Sequence, residues 1–249
     1  MCHGMRIVYA RKKTISIPPV VNLSIMRLKQ LESALSTLHA TAPFSNPDIR
    51  LEQYHTPPSL CASVIFLAKQ NGDIEDCTVA DLGCGTGMLS IGSIVGGAAS
   101  CVGIDCDDKA IEQAVKNREL MEVEEELDFV FGKVNLEGED GLQFRDSSFD
   151  TVLTNPPFGT KHNAGIDVAF LKAALRIARN SAYSFHKTST RDYLLKKING
   201  EWNDTFESCS LRGEVVAEMK FVIPKSYKFH KKDVVEVEVD LIRVSKEYK

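Results

Sequence analysis

The amino-acid sequence predicts an α/β fold in which a mostly parallel sheet of seven strands carries helices on its faces. Strand-forming runs alternate with helical patterns from residue 58 onward, and this order builds a parallel sheet. One early strand ends in a glycine-rich turn over 83–87, and two later strands end in Asp105 and in Asn155. Because ligands bind at the carboxyl ends of parallel strands, these features predict one site at one edge of the sheet.

The composition favours one domain with a full apolar core. The 249 residues are 43% hydrophobic and 26% charged, and no apolar run approaches membrane-spanning length, so we expect no membrane partner. The formal net charge of -4 argues against a protein that coats nucleic acid with its whole surface. Any RNA contact therefore requires a local basic patch or a partner.

We expect residues 26–249 to form a single domain and residues 1–25 to be a disordered extension outside it. The extension contains four basic side chains and no acid, a composition that also allows a transit peptide. The domain begins with a predicted docking helix over 26–38. Its leucines recur at helical spacing on one face: Leu28, Leu31, Leu35 and Leu38.

The rest of the chain follows a βαβ rhythm. Thr56 can cap a helix whose first turn contains Pro57. Helices are predicted near 58–70, 87–96, 107–121 and 167–179. Strands are predicted at 78–82, 100–104, 127–131, 149–154, 181–185, 213–223 and 234–244.

The turn after the first strand has the features of a cofactor site. Gly83, Gly85 and Gly87 let the backbone pass close to a ligand, but their spacing differs from the dinucleotide G-x-G-x-x-G pattern. No phosphate-binding lysine follows the turn, and Asp105 ends the next strand where ribose hydroxyls would donate to it. A nucleoside cofactor without a pyrophosphate therefore fits better than NAD or ATP.

The tetrad Asn155-Pro156-Pro157-Phe158 ends the strand at 149–154, because two successive prolines lack N–H donors and fix φ. The corner offers the Asn155 amide, the Pro156 carbonyl and the flat Phe158 ring. Two acceptors can take the N–H groups of an exocyclic amine while the ring stacks on its base. The corner suits a planar amine; the simpler alternative is a Pro-Pro turn beside a core phenylalanine.

Together, D-L-G-C-G-T-G at 81–87, G-I-D at 103–105 and N-P-P-F at 155–158 resemble S-adenosylmethionine-dependent methyltransferases that act on exocyclic amines. Further segments, among them L-E-Q-Y-H-T-P at 51–57 and S-F-H-K at 184–187, resemble the eukaryotic family that makes N6-methyladenosine in small-subunit (18S) ribosomal RNA. The resemblance implies a Rossmann-like class I methyltransferase fold with S-adenosyl-L-methionine as cofactor.

The resemblance also implies roles for individual residues. The corner Asn155, Pro156, Pro157 and Phe158 would be catalytic. The cofactor contacts would be Gln53, Thr56, Asp81, Gly83, Gly85, Thr86, Asp105, Lys133, Val134 and Asn155. Lys133 departs from the family, which usually has an acid there to accept from the adenine amine, and we expect a modest loss of affinity, about 0.5–1.5 kcal/mol for one hydrogen bond.

RNA contacts are predicted at two places after the corner. His186 and Lys187 follow the strand at 181–185, on the same edge of the sheet as Asn155. A later loop interleaves lysines with aromatic residues, a pattern that suits RNA backbone and unstacked bases. Its candidate contacts are Lys228, Phe229, His230 and Lys231. The acidic run at 122–128 would repel RNA and should face away from it.

The family implies a protein partner as well, a small zinc-binding activator that adds a strand to the exposed sheet edge and covers apolar surface. The expected locations are the nucleus, with the nucleolus, and the cytoplasm. The seven cysteines form no C-x-x-C pair, and no histidine lies at zinc spacing. This pattern indicates reduced, mostly buried thiols of an intracellular protein, with no metal site in the chain itself.

Two other functions stay open at this point. One is methylation of another planar amine, either guanine N2 in RNA or a glutamine amide in protein, because Asn-Pro-Pro-aromatic corners serve those reactions too. The short segment before Gln53 favours RNA, since the glutamine enzymes carry a larger domain there. The other is an inactive methyltransferase fold that serves as a ribosome-assembly scaffold.

Overall fold

A seven-stranded sheet with the strand order β3-β2-β1-β4-β5-β7-β6 forms the centre of the described part of the chain. The computed structural model describes residues 27–41, 51–134, 136, 141, 143–159, 163–206, 208–224 and 234–248. The strands are β1 Thr78–Leu82, β2 Ser100–Asp105, β3 Leu127–Phe131, β4 Phe149–Thr154, β5 Ala178–Lys187, β6 Cys209–Pro224 and β7 Val234–Tyr248. The helices are α1 Leu28–Thr41, α2 Pro58–Gln70, α3 Met88–Val95, α4 Asp108–Met121, α5 Ile166–Ile177 and α6 Arg191–Asn199.

The first five strands pair in parallel, and β7 inserts antiparallel between β5 and β6. The chain leaves β1 in one direction to β2 and β3, and later returns to place β4 and β5 on the other side. At the end of β1, Leu82 pairs with Ile104 of β2 and with Thr154 of β4. The crevice of this topological switch point therefore opens beside the ends of β1 and β4, where doubly wound sheets bind ligands.

Two apolar layers cover the sheet. One contains the buried side chains of α1, α2 and α3, and the other contains those of α5 and α6 with Trp202. Gly103 of β2 allows close packing on the first layer, because a Cβ there would lie 2.6 Å from the Phe129 ring and 2.8 Å from Ser90 Oγ. Among the helices that the structure describes, none combines the length and apolar character that crossing a bilayer requires.

The α1 helix docks on the domain through three of the four predicted leucines. Leu31, Leu35 and Leu38 are buried in the first apolar layer. Leu28 is 36% exposed, so its inclusion in the docked face was wrong. It is the first residue of the helix, where the apolar stripe ends.

The structure confirms the strands at 78–82, 127–131 and 149–154 to the residue. The predicted helix over 167–179 ends earlier, at Ile177, because β5 begins at the next residue and pairs with β4 and β7. The α6 helix was not predicted. It has nine residues, of which only Leu194 and Ile198 are buried, so its apolar pattern is too short to detect.

Shortening Leu35 tests the docking of α1, and Leu28 provides the control in the same helix. Leu35→Ala removes fully buried methyl groups and should lower the free energy of unfolding by about 2–5 kcal/mol. Leu28→Ala should lower it by less than about 1 kcal/mol, because that side chain is partly solvated. Urea unfolding of both variants measures the difference, and equal losses would contradict the docked position.

Candidate active site

The glycine-rich turn after β1 folds tightly onto the end of β2. Gly83, Gly85 and Gly87 have φ values of 71°, 54° and 84°, a left-handed region that other residues adopt at a cost. The backbone N–H groups of Gly83 and Cys84 both donate to the Ile104 carbonyl, at 2.8 and 3.0 Å. The turn is therefore held against the sheet edge with its backbone bordering the crevice.

Asp105 braces this turn from the end of β2. Its Oδ2 accepts from the backbone N–H of Gly85 at 2.8 Å, and its Oδ1 accepts from that of Asp107 at 2.9 Å. Burial raises the pKa of Asp105 above its usual value, although these two hydrogen bonds act in the opposite direction and lower it. The carboxylate keeps lone pairs beyond these two bonds and borders the cavity, so it can accept from ribose hydroxyls as predicted.

Asp81 is the buried acid of the site. Its Oδ2 accepts from Ser90 Oγ at 2.6 Å, while its buried Oδ1 has no hydrogen-bond partner in the described part of the chain. Burial raises the pKa of Asp81 to about 7. Because an unpaired buried carboxylate oxygen is costly, this atom suits a ligand that brings a positive charge or N–H donors.

A cavity of about 330 Å³ opens between these groups. Its lining includes the residues predicted to contact the cofactor: Gln53, Thr56, Asp81, Gly83, Gly85, Thr86, Asp105, Lys133, Val134 and Asn155. Predicted contacts from segments far apart along the chain therefore meet at one cavity, and their cofactor roles stay predictions. Lys133 is exposed at its rim and presents no acceptor for an adenine amine through its side chain.

We call residues 51–56 the strap, because this segment lines the cavity and is hydrogen-bonded to two other parts of the site. Gln53 Nε2 donates to Asp107 Oδ2 at 2.6 Å, and Asn155 Nδ2 donates to Thr56 Oγ1 at 3.0 Å. The predicted cap was wrong: α2 begins at Pro58, its N-cap is Pro57, and no side chain caps it. The Thr56 hydroxyl instead contacts the Asn155 amide.

The Asn-Pro-Pro-Phe corner follows β4 directly. Asn155 and Pro157 line the cavity, whereas Pro156 is buried and is not part of the lining. Phe158 also lies outside the lining, half-buried, with its ring edge-to-face on Phe221 at 6.2 Å. The corner thus presents the amide to the cavity and holds its aromatic ring against the β6 strand.

Several residues of the site were not assigned from sequence, among them Phe170, Ile166 and Asp107. Phe170 of α5 lines the cavity, and a Cβ on Gly83 would lie 3.2 Å from its ring, so that glycine permits the contact. Ile166 lines the cavity one helical turn earlier. The spacing of four positions between these two apolar residues could have predicted that they share one face of the helix. Asp107 caps α4 by accepting from Lys109 N and also holds the strap.

The structure corrects one predicted RNA contact. His186 is fully buried, with Nδ1 3.0 Å from Asp167 Oδ2, and it pairs across the sheet with Asp240. Because its side chain is not exposed, His186 cannot contact RNA in this structure, and that prediction was wrong. The sequence pattern suggested that the end of β5 is exposed to solvent, but in the structure this end pairs with β7. Lys187 is half-buried at the strand end. Lys228, Phe229, His230 and Lys231 lie outside the described residues.

Beside His186, a buried ion pair joins β7 to α6. Asp240 accepts from Arg191 at 2.7 and 2.6 Å and from Thr188 at 2.9 Å. Burial alone would raise the pKa of Asp240, but these hydrogen bonds hold it below its usual value. The cluster holds the elements after the corner together.

Six of the seven cysteines lie in the described part of the chain, all as free thiols. Cys61, Cys84, Cys101 and Cys209 are buried, which confirms the prediction for these positions. Burial raises the pKa of Cys61, Cys84 and Cys101 well above the usual thiol value, so they are not activated nucleophiles.

The residues present fit S-adenosyl-L-methionine. Asp105 can take the ribose, the turn at 83–87 can pass beneath the nucleoside, and the unpartnered Oδ1 of Asp81 can accept from the amino group of the methionine part. The turn itself carries no lysine to bind phosphates, in keeping with a cofactor that lacks them.

Known proteins resemble this sequence along most of their length. The chain is 43% identical over 219 residues to the rRNA N(6)-adenosine-methyltransferase METTL5 of Danio rerio, covering 88% of this chain and 98% of that one. It is 44% identical over 223 residues to the Drosophila melanogaster enzyme of the same name, covering 88% and 96%. The chain belongs to the METTL5 family.

The fold of this METTL5 family member agrees with a solved structure. A candidate RNA methyltransferase from Pyrococcus horikoshii, PH1948, is 31% identical, with a TM-score of 0.72 over 90% of this chain and 98% of that chain. Residues 55–156 also match the family model of the ribosomal protein L11 methyltransferase (PrmA). The Rossmann-like class I methyltransferase fold and its seven-stranded, mostly parallel sheet are thereby confirmed.

Cofactor affinity should depend on pH through Asp81. Its raised pKa of about 7 means that the carboxyl is protonated below that pH and ionised above it. A cofactor ammonium group favours the ionised form, so affinity should fall as pH drops from 8 to 6, by at most about tenfold per pH unit.

Calorimetric titration of S-adenosyl-L-methionine at pH 6, 7 and 8 measures this dependence. The matched variant Asp81→Asn cannot ionise, so it should bind more weakly at pH 8 and lose the component of the profile centred near pH 7. Identical profiles for the two proteins would exclude Asp81 as the titrating group.

Proposed function

We propose that this protein transfers the methyl group of S-adenosyl-L-methionine to N6 of an adenosine in small-subunit (18S) ribosomal RNA. One observation carries the proposal. Asn155 lies where the cofactor cavity meets the Asn-Pro-Pro-Phe corner. Its Nδ2 donates a hydrogen bond to Thr56, whereas its Oδ1 accepts none from the described residues. That acceptor suits the N–H of an exocyclic amine.

For methyl transfer to N6, the protein must align the amine with the methyl group more than it must supply a general base. When bound, the cofactor supplies a sulfonium methyl group; the N6 lone pair forms the new C–N bond, the C–S bond breaks toward sulfur, and N6 releases a proton to solvent. Asn155 Oδ1 would accept a hydrogen bond from one N–H of the amine. The carbonyl of Pro156, which lies between the lining residues Asn155 and Pro157, would accept from the other, and together they would turn the N6 lone pair out of conjugation with the ring. Such positioning contributes on the order of 7–11 kcal/mol to lowering the barrier.

The target adenine must leave its stack to reach the corner. Phe158 would replace one stacking neighbour, and base–aromatic stacking contributes about 1–3 kcal/mol. Extrusion from a duplex costs a few kcal/mol and less from a loop, which favours an unpaired or weakly paired target. The edge-to-face contact with Phe221 would hold the Phe158 ring upright for this purpose.

Ribosomal RNA fits better than a protein amide as the substrate. The match to the L11 methyltransferase model ends at Pro156, so it covers the cofactor half and leaves out α5 and the strands after it. The Danio rerio and Drosophila melanogaster relatives match along almost their full length and carry rRNA N6-adenosine names. Asn155, Asp105 and the glycine turn are all in place, which does not favour an inactive scaffold.

We further propose that the small zinc-binding activator adds a strand to β3. Within the described residues β3 pairs with β2 alone, and Phe131 and the neighbouring Leu120 are 60% and 42% exposed. The exposed acidic run at 122–128 borders this edge and disfavours RNA there, which leaves the edge to a protein. Action in the nucleus, with the nucleolus, and in the cytoplasm belongs to the same proposal, because it depends on the ribosomal RNA substrate.

The proposed reaction is tested by transfer of labelled methyl groups to RNA. The chain, co-expressed with the activator, should place label in small-subunit ribosomal RNA as N6-methyladenosine, identified by nucleoside analysis. Asn155→Ala should lower turnover at least about a hundredfold, because the amine loses its oriented acceptor. Its melting temperature should stay close to that of the unmodified protein.

Asn180→Ala is the control, since Asn180 is an exposed amide on β5 and should leave turnover unchanged. Label in guanine or in protein would move the substrate and retain the fold. Undiminished turnover in Asn155→Ala would remove the corner from the mechanism.

The β3 edge is tested by placing a charge on it. Phe131→Asp should weaken binding to the zinc-binding activator by about tenfold or more, because it places a carboxylate in the apolar contact. Tyr193→Asp is the matched control, since Tyr193 is similarly exposed, at 55%, but lies on α6. Surface plasmon resonance with purified activator compares the two, and equal affinities would place the partner elsewhere.

A further inference from the structure

The hydrogen bond between Thr56 and Asn155 joins two parts of the site with separate tasks. Thr56 belongs to the strap over the cofactor cavity, and Asn155 begins the corner that receives the target base. The residues are 99 positions apart in the chain, and the bond measures 3.0 Å between Asn155 Nδ2 and Thr56 Oγ1. Each side chain therefore constrains the orientation of the other across the cavity.

An asparagine amide has two unlike ends. Its oxygen accepts and its NH2 donates, and rotation by half a turn about χ2 exchanges their positions. An exocyclic amine needs an acceptor, so only the orientation with Oδ1 toward the base is productive. The reversed orientation would point two N–H groups at the N–H bonds of the substrate and repel it.

The structure shows one of these two orientations. Asn155 Nδ2 donates to Thr56 Oγ1 at 3.0 Å, so Asn155 Oδ1 stays available to a donor in the cavity. The other end of the strap is fixed independently, since Gln53 Nε2 donates to Asp107 Oδ2 at 2.6 Å. Asp107 caps α4, and its backbone N–H donates to Asp105. Through Gln53, the strap that contains Thr56 is therefore held by residues on the cofactor side of the site.

We propose that Thr56 is a positioning residue for methyl transfer, which holds the Asn155 amide with its acceptor toward the target amine. This inference rests on the proposed function and adds a specificity element to it. The strap thereby couples the two halves of the site, because the segment that lines the cofactor cavity also sets the acceptor for the base.

Thr56→Val tests the role, because valine keeps the shape of threonine and removes the hydroxyl. Turnover on small-subunit ribosomal RNA should fall by about tenfold to a hundredfold, since small misplacement of an aligning group has effects of that order. The KM for RNA and the melting temperature should change little. Thr56→Ser restores the hydroxyl and should recover turnover to within about threefold of the unmodified protein.

Cofactor affinity separates this role from simple cofactor contact. If Thr56 acted only through the cofactor, Thr56→Val would raise the Kd for S-adenosyl-L-methionine, and saturating cofactor would restore turnover. The positioning role predicts that kcat stays low at saturation. Full turnover of Thr56→Val at saturating cofactor therefore overturns the inference.

An Asn155→Asp background gives a second test. A carboxylate presents an oxygen in either orientation, so the residue that selects the orientation becomes dispensable. Adding Thr56→Val to Asn155→Asp should change its turnover by less than about threefold, and an effect equal to that in the Asn155 background would overturn the inference. Failure of the unmodified protein to label N6 of adenosine would instead overturn the proposed function, and the two results are distinct.

Discussion

The parallel pairing of β1 with β4 is the constraint on which the site depends. It brings Leu82 beside Thr154, and the Thr154 hydroxyl donates to the Leu82 carbonyl at 2.8 Å in a fully buried setting. Because both strands stop at this point, the glycine turn and the Asn155 corner emerge side by side although 72 residues separate their strands. A slip of one residue would reverse the faces of β4 and move Asn155 away from the cavity.

The polar groups at this edge are of two kinds. Asp240 has close partners for both carboxylate oxygens, and such a buried group holds elements together because it would be costly if left unpaired. Asp81 differs, since one of its oxygens lacks a partner among the described residues and burial raises its pKa toward neutrality. The free energy lost there is recovered only when a ligand arrives, which is typical of a binding site and untypical of a structural acid.

Sequence patterns were sufficient for the elements that are buried on both faces and for the ends of parallel strands. Short runs of strand-forming residues mark β1 and β4, and a strand ending in Gly or Asn-Pro marks where a ligand can approach. Sequence patterns were insufficient where the surroundings of a residue depend on partners far along the chain. His186 follows a strand whose antiparallel neighbour β7 could not be placed by periodicity, and Thr56 looked like a cap because its partner Asn155 is 99 residues away.

The boundary of the L11 methyltransferase match explains how one fold serves different substrates. The match spans 55–156, from the end of the strap to Pro156 of the corner, so it contains most of the cavity lining and Asn155. The second half of the chain, from Phe158 to β7, must distinguish an RNA base from a protein amine. Phe158 already faces that second half through Phe221 of β6. Thr56 and Asn155 lie near the two ends of the shared half, and their hydrogen bond joins those ends in space.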